Sequence, residues 1–167
     1  MLRRIEIDKV GNFIITAGPS LTFSRAQYML CISYAHVHLY LYRPALYYAI
    51  RPLKPRLLLD DLSSYATLCI QASQNIVALC KDMCKRGLLN GGNWPAIRML
   101  CSSILILFYI ILVSRGSYEP EPMFKSLATG RKVLNHLAKE SFPSNRCRVM
   151  LVVRVKSYFS SIYLCVI

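Results

Sequence analysis

Acidic residues are scarce in this chain: eight Asp and Glu stand against 21 Lys and Arg in 167 residues, for a net charge of +13. That scarcity removes whole classes of chemistry. Asp60 and Asp61 are adjacent where a helix should start, and Glu119 and Glu121 sit among prolines, so no two carboxyls are set up as a general acid and base. Glycine is sparse too, seven in all, and there is no phosphate-cradling glycine loop, dinucleotide fingerprint or Gly-x-Ser-x-Gly elbow. Gly87, Gly91 and Gly92 follow Lys85 and Arg86 with no strand leading in, which suits a helix cap and a loop better than a phosphate site. No acid, base and nucleophile assemble, and an enzyme is not expected. A secretory signal is not expected either, because Glu6, Asp8 and Lys9 interrupt the opening residues before any sustained apolar stretch. A cytosolic or nuclear location is the default expectation.

What the chain does have is apolar surface. Hydrophobic residues make up 54% and charged residues 17%, a more apolar balance than an ordinary soluble domain of this size. The length suits one domain. The surplus points either to lipid or to a piece of a larger helical array whose neighbours cover the exposed faces. The cations are dispersed, at Arg3 and Arg4, from Arg51 to Arg56 around prolines, from Lys81 to Arg86 and from Arg146 to Lys156. Without a basic stripe interleaved with aromatics, they read as a solvated surface rather than a DNA-binding face. Seven cysteines, an odd number without the regular spacing of a disulfide scaffold, mostly fall in apolar stretches and indicate a reducing compartment.

Residues 1–21 mix charges, glycine and proline, with a short alternating run from Val10 to Thr16 as the one strand candidate. From Thr22 the period becomes helical: Tyr28, Ile32, Ala35, Leu39 and Tyr42 share a face, and Pro44 should stop or kink the helix. Ile50 to Leu59 reads as an exposed connector, after which Asp60, Asp61, Ser63 and Ser64 offer N-caps. Cys69, Ala72, Ile76, Leu79 and Met83 form the inward face of a second helix ended by Gly87. Asn93 and Pro95 open a third, with no charge from Met99 to Ser114, a run shorter than the ~20 apolar residues of a membrane span. After a loop from Gly116 to Pro122 comes a fourth helix, with Phe124, Leu127, Leu134 and Leu137 inward and Gly130 as a weak point. Ser141 to Ser144 breaks the chain again. Residues 148–167 are β-branched and aromatic and predict an irregular or strand-like tail. The expected fold is all-α, about four helices spanning residues 22–147.

Candidate chemistry is thin. His36 and His38 lie two apart and diverge on a helix, so they cannot share an ion. Cys80 and Cys84 share a helix side, but two ligands fall short of the four that a structural zinc needs. Neither a metal site nor a bound cofactor is expected in this chain.

The order of the segments nevertheless resembles a family. His38-Leu-Tyr-Leu-Tyr-Arg-Pro-Ala-Leu46 is similar to the Arg-Pro helix end of the middle homology region of fungal zinc-cluster (Zn2Cys6) transcription factors. Cys69-Ile-Gln-Ala-Ser-Gln-Asn-Ile-Val77, the Gly87-Leu-Leu stop and the helix led by Trp94 follow in the family's order, then Gly130-Arg-Lys-Val-Leu-Asn-His-Leu and Ser144-Asn-Arg-Cys147. The resemblance runs roughly from Tyr28 to Cys147 and covers the C-terminal part of that region. It implies a nuclear, all-helical, ligand-responsive module that regulates RNA polymerase II transcription. The family's DNA-binding head carries six clustered cysteines around zinc; no such cluster stands in this chain, so DNA contact is expected only indirectly, through a head outside it. Implied partners are other parts of a transcription factor or the transcription machinery, with a homodimer as a further option. His38, Arg43 and Trp94 are the candidate effector or intramolecular contacts; the plainer alternative has Arg43 capping a helix and Trp94 filling core. The rival reading is a small membrane protein anchored by residues 99–114.

Overall fold

The computed structural model describes residues 6–7, 13–14, 20–50, 59–113 and 120–164. Their fold is all-α. Five helices follow one another: α1 (Leu21–Ile50), α2 (Leu59–Lys85), α3 (Trp94–Val113), α4 (Pro120–Glu140) and α5 (Phe142–Leu164). Ahead of them, β1 (Glu6–Ile7) and β2 (Phe13–Ile14) make a minimal antiparallel ladder, pairing Glu6 with Ile14 and Ile7 with Phe13. The alternating run near Val10 thus does contain a strand.

Ser20 starts α1, its hydroxyl accepting the Phe23 N–H at 3.2 Å while its carbonyl accepts the Ser24 N–H. The row predicted to face inward does so: Tyr28, Ile32, Ala35 and Leu39 are buried and Tyr42 packs against the same core. Pro44 does not end the helix, which continues to Ile50. Proline forfeits the bond to the carbonyl four residues back, and here both Pro44 and Tyr40 lie on the exposed side, where water can serve that carbonyl.

Helix α2 begins at Leu59, so Asp60, Asp61, Ser63 and Ser64 lie within its first turns rather than at the cap. Residues 51–58 of the predicted connector lie outside the described residues. The other end of α2 is closed by Gly87 at φ 65°, a conformation that a Cβ would strain. Leu88 N–H donates to Met83 O at 2.9 Å and Gly87 N–H to Cys84 O at 3.1 Å, the paired bonds of a Schellman stop. Leu88 and Met83 are both buried, so the turn that reverses the chain is also anchored in the core.

The chain then re-enters a helix at Trp94, with Pro95 in the first turn where its missing N–H is harmless. Helix α3 is apolar all round. It is the one helix among the described residues long and apolar enough to cross a membrane by length and composition. Its Ala96, Ile97, Leu100, Ile104, Leu107 and Ile110 are nonetheless buried within the protein's own core. The final residue of the predicted uncharged run, Ser114, and residues 116–119 of the predicted loop lie outside the described residues; Pro120 to Pro122 belong to the first turn of α4.

Gly130 turns out to be a close-approach point. A Cβ built there would lie 2.9 Å from Ile104 Cγ1 and 3.0 Å from its Cδ1, with Val77 Cγ2 at 3.5 Å, so glycine lets α4 cross α2 and α3 at short range. Val133, Leu134 and Leu137 complete the inward face, with Leu127 packed against it. Phe124, predicted to point inward, is 53% exposed; Met123, one position earlier, takes the buried place.

Two further corrections concern the C-terminus. Among the described residues there are five helices where about four were expected, because the tail predicted to be irregular or strand-like is helical through Leu164. Ser141 Oγ caps this helix by accepting the Ser144 N–H and donates to Gly91 O at 2.9 Å, fixing the entry of α5 against the α2–α3 loop. Ser144 and Leu151 are buried and Cys147 is half-buried, a step of three and then four. The helical period of these inward positions outweighs the small intrinsic penalty of Val149, Val152 and Val153.

Two outcomes follow from this packing. Gly130→Val should cost about 1–3 kcal/mol, read as a lower urea midpoint, because Ile104 and Val77 leave no room for branching; an unchanged midpoint would mean the crossing has slack. Gln27 Oε1 is buried without a hydrogen bond among the described residues. Gln27→Met should therefore leave stability unchanged or raise it by about 1 kcal/mol, visible as a higher Tm.

Candidate functional site

The three contact candidates do not converge. His38 is half-buried on α1 between Tyr34, at 4.4 Å centroid distance, and Tyr42, at 5.7 Å; Tyr42 in turn stacks on Tyr65 of α2 at 5.6 Å with the planes 12° apart. Arg43, five residues on, is exposed and lies within helix α1 rather than capping its end. Trp94 is 60% exposed at the head of α3, so it does not fill core. The loop leading to Trp94 is tied to the opposite end of α1, because Arg25 Nε donates to Leu88 O at 3.0 Å. Thirteen residues of helix separate Arg25 from His38, about 20 Å along the axis.

His36 has a separate environment. Its Nε2 lies 3.2 Å from Ser102 Oγ on α3, and its ring meets Tyr40 edge-on at 4.6 Å. Burial, with the Arg98 guanidinium nearby, lowers its pKa below the ordinary value and favours the neutral ring. As positions two apart on a helix require, His36 turns to α3 while His38 turns to the tyrosines.

The polar cluster that the structure does assemble joins α1 to the end of α2. The Tyr28 hydroxyl donates to Asp82 Oδ2, Arg86 Nε donates to the same oxygen at 3.1 Å, and the Arg86 guanidinium sits 5.7 Å from the Tyr28 ring centre. Burial first, then the bond to Asp82, pushes the Tyr28 pKa up to about 12. The same bond, ahead of Arg86, holds the Asp82 carboxyl below its ordinary range. The Asp82–Arg86 pair is not among the sequence candidates, although its four-residue spacing marks it as a helical pair; Tyr28 has no local signal, since it arrives from a helix 54 positions away.

A second convergence is of thiols. Cys80, which shares a side of α2 with Cys84, lies close to Cys101 of α3, and Cys101 in turn meets Cys147 of α5. Cys84 Sγ lies 4.0 Å from His136 Nδ1 on α4. Cys101 is hydrogen-bonded to Cys147 and feels Cys80 as well, and burial drives its pKa far above the usual thiol value. Burial likewise raises Cys80 to about 12, and Cys69, whose S–H donates to Leu39 O at 3.7 Å, to about 11. Cys69, Cys80 and Cys101 therefore stay protonated at neutral pH, and a protonated thiol is neither a good nucleophile nor a good ligand. Among the described residues no group of three or more His, Cys, Asp or Glu is arranged to hold a metal ion.

The chain is similar to a yeast activator. It is 29% identical over 129 residues to Activator of stress genes 1 of Saccharomyces cerevisiae, an alignment covering 74% of this chain. The chain spans only 13% of that protein's length. No family model matches, and no solved structure does.

The Tyr28–Asp82–Arg86 cluster gives a pH signature with two limbs. Tyr28 has a raised pKa, so its contribution is full below the ordinary value of 10.0 and fades as the pH climbs toward 12. Asp82 has a lowered pKa, so its contribution is present above 3.8 and fades as the pH falls below it. Tyr28→Phe should cost about 1 kcal/mol at neutral pH and remove the high-pH limb of a Tm-against-pH profile. Parallel profiles for the variant and the parent would show that the bond contributes nothing.

Proposed function

We propose that this chain is a helical regulatory, ligand-responsive module of a fungal transcription factor acting on RNA polymerase II transcription, with the DNA-binding head outside it. The observation that carries this reading is the alignment to Activator of stress genes 1 across 74% of the chain. The all-α array supports it, as does the ordered set of segments from His38 to Cys147 that resembles the middle homology region of zinc-cluster regulators. In this reading the chain is not an enzyme and works in the nucleus. It holds no cofactor of its own; zinc belongs to the head. Its partners are other parts of the regulator or the transcription machinery, DNA is reached only indirectly, and a homodimer is a further arrangement. His38 and Arg43 are the effector-contact candidates nearest one another, and Trp94 is a separate, exposed one.

A second reading keeps α3 as a membrane anchor, since it has the length and composition to span. It ranks behind because Ile97, Leu100, Ile104 and Leu107 are already covered by the protein's own helices, and lipid contact would require uncovering them.

The test places the chain between a heterologous DNA-binding module and an activation segment in yeast, with an unstructured linker of equal length as control. The expected result is a reporter output that differs from the control by about threefold or more, about 0.7 kcal/mol of regulatory coupling, in a chain recovered from nuclei by high salt without detergent. Equal outputs would sink the regulatory reading. A chain that stays in the high-salt pellet until detergent is added would favour the anchor.

A further inference from the structure

Helix α1 is apolar on two opposite sides. One side carries Tyr28, Ile32 and Leu39 into the core; the other carries Leu30, Tyr34, Val37 and Leu41, with Phe23 one heptad before Leu30, out into solvent. Val37 is 63% exposed and Leu41 66%, and they stand in a continuous apolar row rather than singly among polar neighbours. Leu30, Tyr34, Val37 and Leu41 advance by four, three and four residues, the spacing of a coiled-coil seam.

Charge narrows the occupants. The row and its exposed neighbours Ala26, Tyr40 and Pro44 carry no charge at all. The two arginines of α1 lie elsewhere: Arg25 and Arg43 stand about a third to a half of a turn round the helix from the row, and Arg25 is already bonded to Leu88 O. Arg98 of α3 stands by His36, on the side of α1 that turns toward Ser102. A bilayer surface takes a helix whose apolar face is rimmed by lysine and arginine, and an acidic partner or a nucleic acid needs cations beside the contact. Among the described residues the seam offers none of these. Its match is another apolar row without charge.

The seam itself is such a row, and its spacing is the same read in either direction. Two copies related by a two-fold axis at the level of Ala35 and His36 run antiparallel and bring Leu30 of one against Leu41 of the other, and Tyr34 against Val37, each pair twice. Self-association of a chain carrying +13 also requires a face on which cations do not meet, and this face meets that condition.

We propose that the outer seam of α1 is the interface of an antiparallel, two-fold symmetric dimer of this chain, built on Leu30–Leu41 and Tyr34–Val37 pairs. The dimer rests on the surface of α1 and not on the transcriptional reading, so either can fail without the other.

The test is sedimentation of the full chain in the micromolar range. The parent should sediment at about twice the monomer mass. Val37→Glu and Tyr34→Lys, both at exposed positions and each with circular dichroism and Tm retained, should each weaken association by about tenfold or more. Mixing the two variants should restore it, because antiparallel pairing sets Lys against Glu at one site and leaves a native Tyr–Val pair at the other. A monomeric parent, a dimer indifferent to Val37→Glu, or a mixture that stays monomeric would each overturn the proposal. So would a monomer whose Val37 row instead supports flotation with phosphatidylserine vesicles.

Discussion

The antiparallel contact of α1 with α2 sets the frame for everything else in the molecule. It is pinned at one end by Cys69 donating to the Leu39 carbonyl and at the other by Tyr28 and Asp82, with Ile32, Ala35, Leu39, Ile76 and Met83 closing the space between. Because α2 is then committed on that side, its remaining surface decides where the later helices go. Val77 faces the glycine notch of α4, Cys80 looks toward Cys101 on α3, and Cys84 reaches His136 on α4. Burying α2 on several sides is what lets a chain with so few charges hold one core. The polar ends of the frame are economical, because a single carboxylate serves a tyrosine from one helix and an arginine from its own.

Periodicity made the inward rows of α1 and α2 readable before any coordinates, since a step of three or four residues survives whatever the neighbours are. Gly87 was readable for a related reason: a stop after Lys85 and Arg86 needs a residue at ease with positive φ. The tail was not readable, because Val149, Val152 and Val153 speak for strand through local preference, while Ser144, Cys147 and Leu151 speak for helix through contacts that only the folded protein supplies. Phe124 and Met123 illustrate a finer failure, a shift of one position in which of two large apolar residues turns inward. Gly130 reads in the sequence as a weakness of α4, yet its lack of a side chain is what brings α4 against Ile104.

The candidate site was the least legible part. His38, Arg43 and Trp94 could be singled out as residue types, yet nothing in the linear order tells that the chain ties Trp94 to the far end of α1. The clusters that do form, Tyr28 with Asp82 and Arg86 and the thiols of α2, α3 and α5, draw members from distant stretches. Cooperation of that kind depends on topology, which local pattern does not encode. Similarity to a yeast activator therefore carries the functional reading, and the geometry constrains how it can operate.

The interior thiols also bear on how the protein ages. Cys69 and Cys80 are shielded by packing and kept protonated, so electrophiles and peroxides meet them only in molecules that have opened. Chemical damage is thereby tied to conformational opening: a chain that breathes seldom keeps its sulfurs intact, and one that has been modified while open carries an adduct the core has no volume to take back.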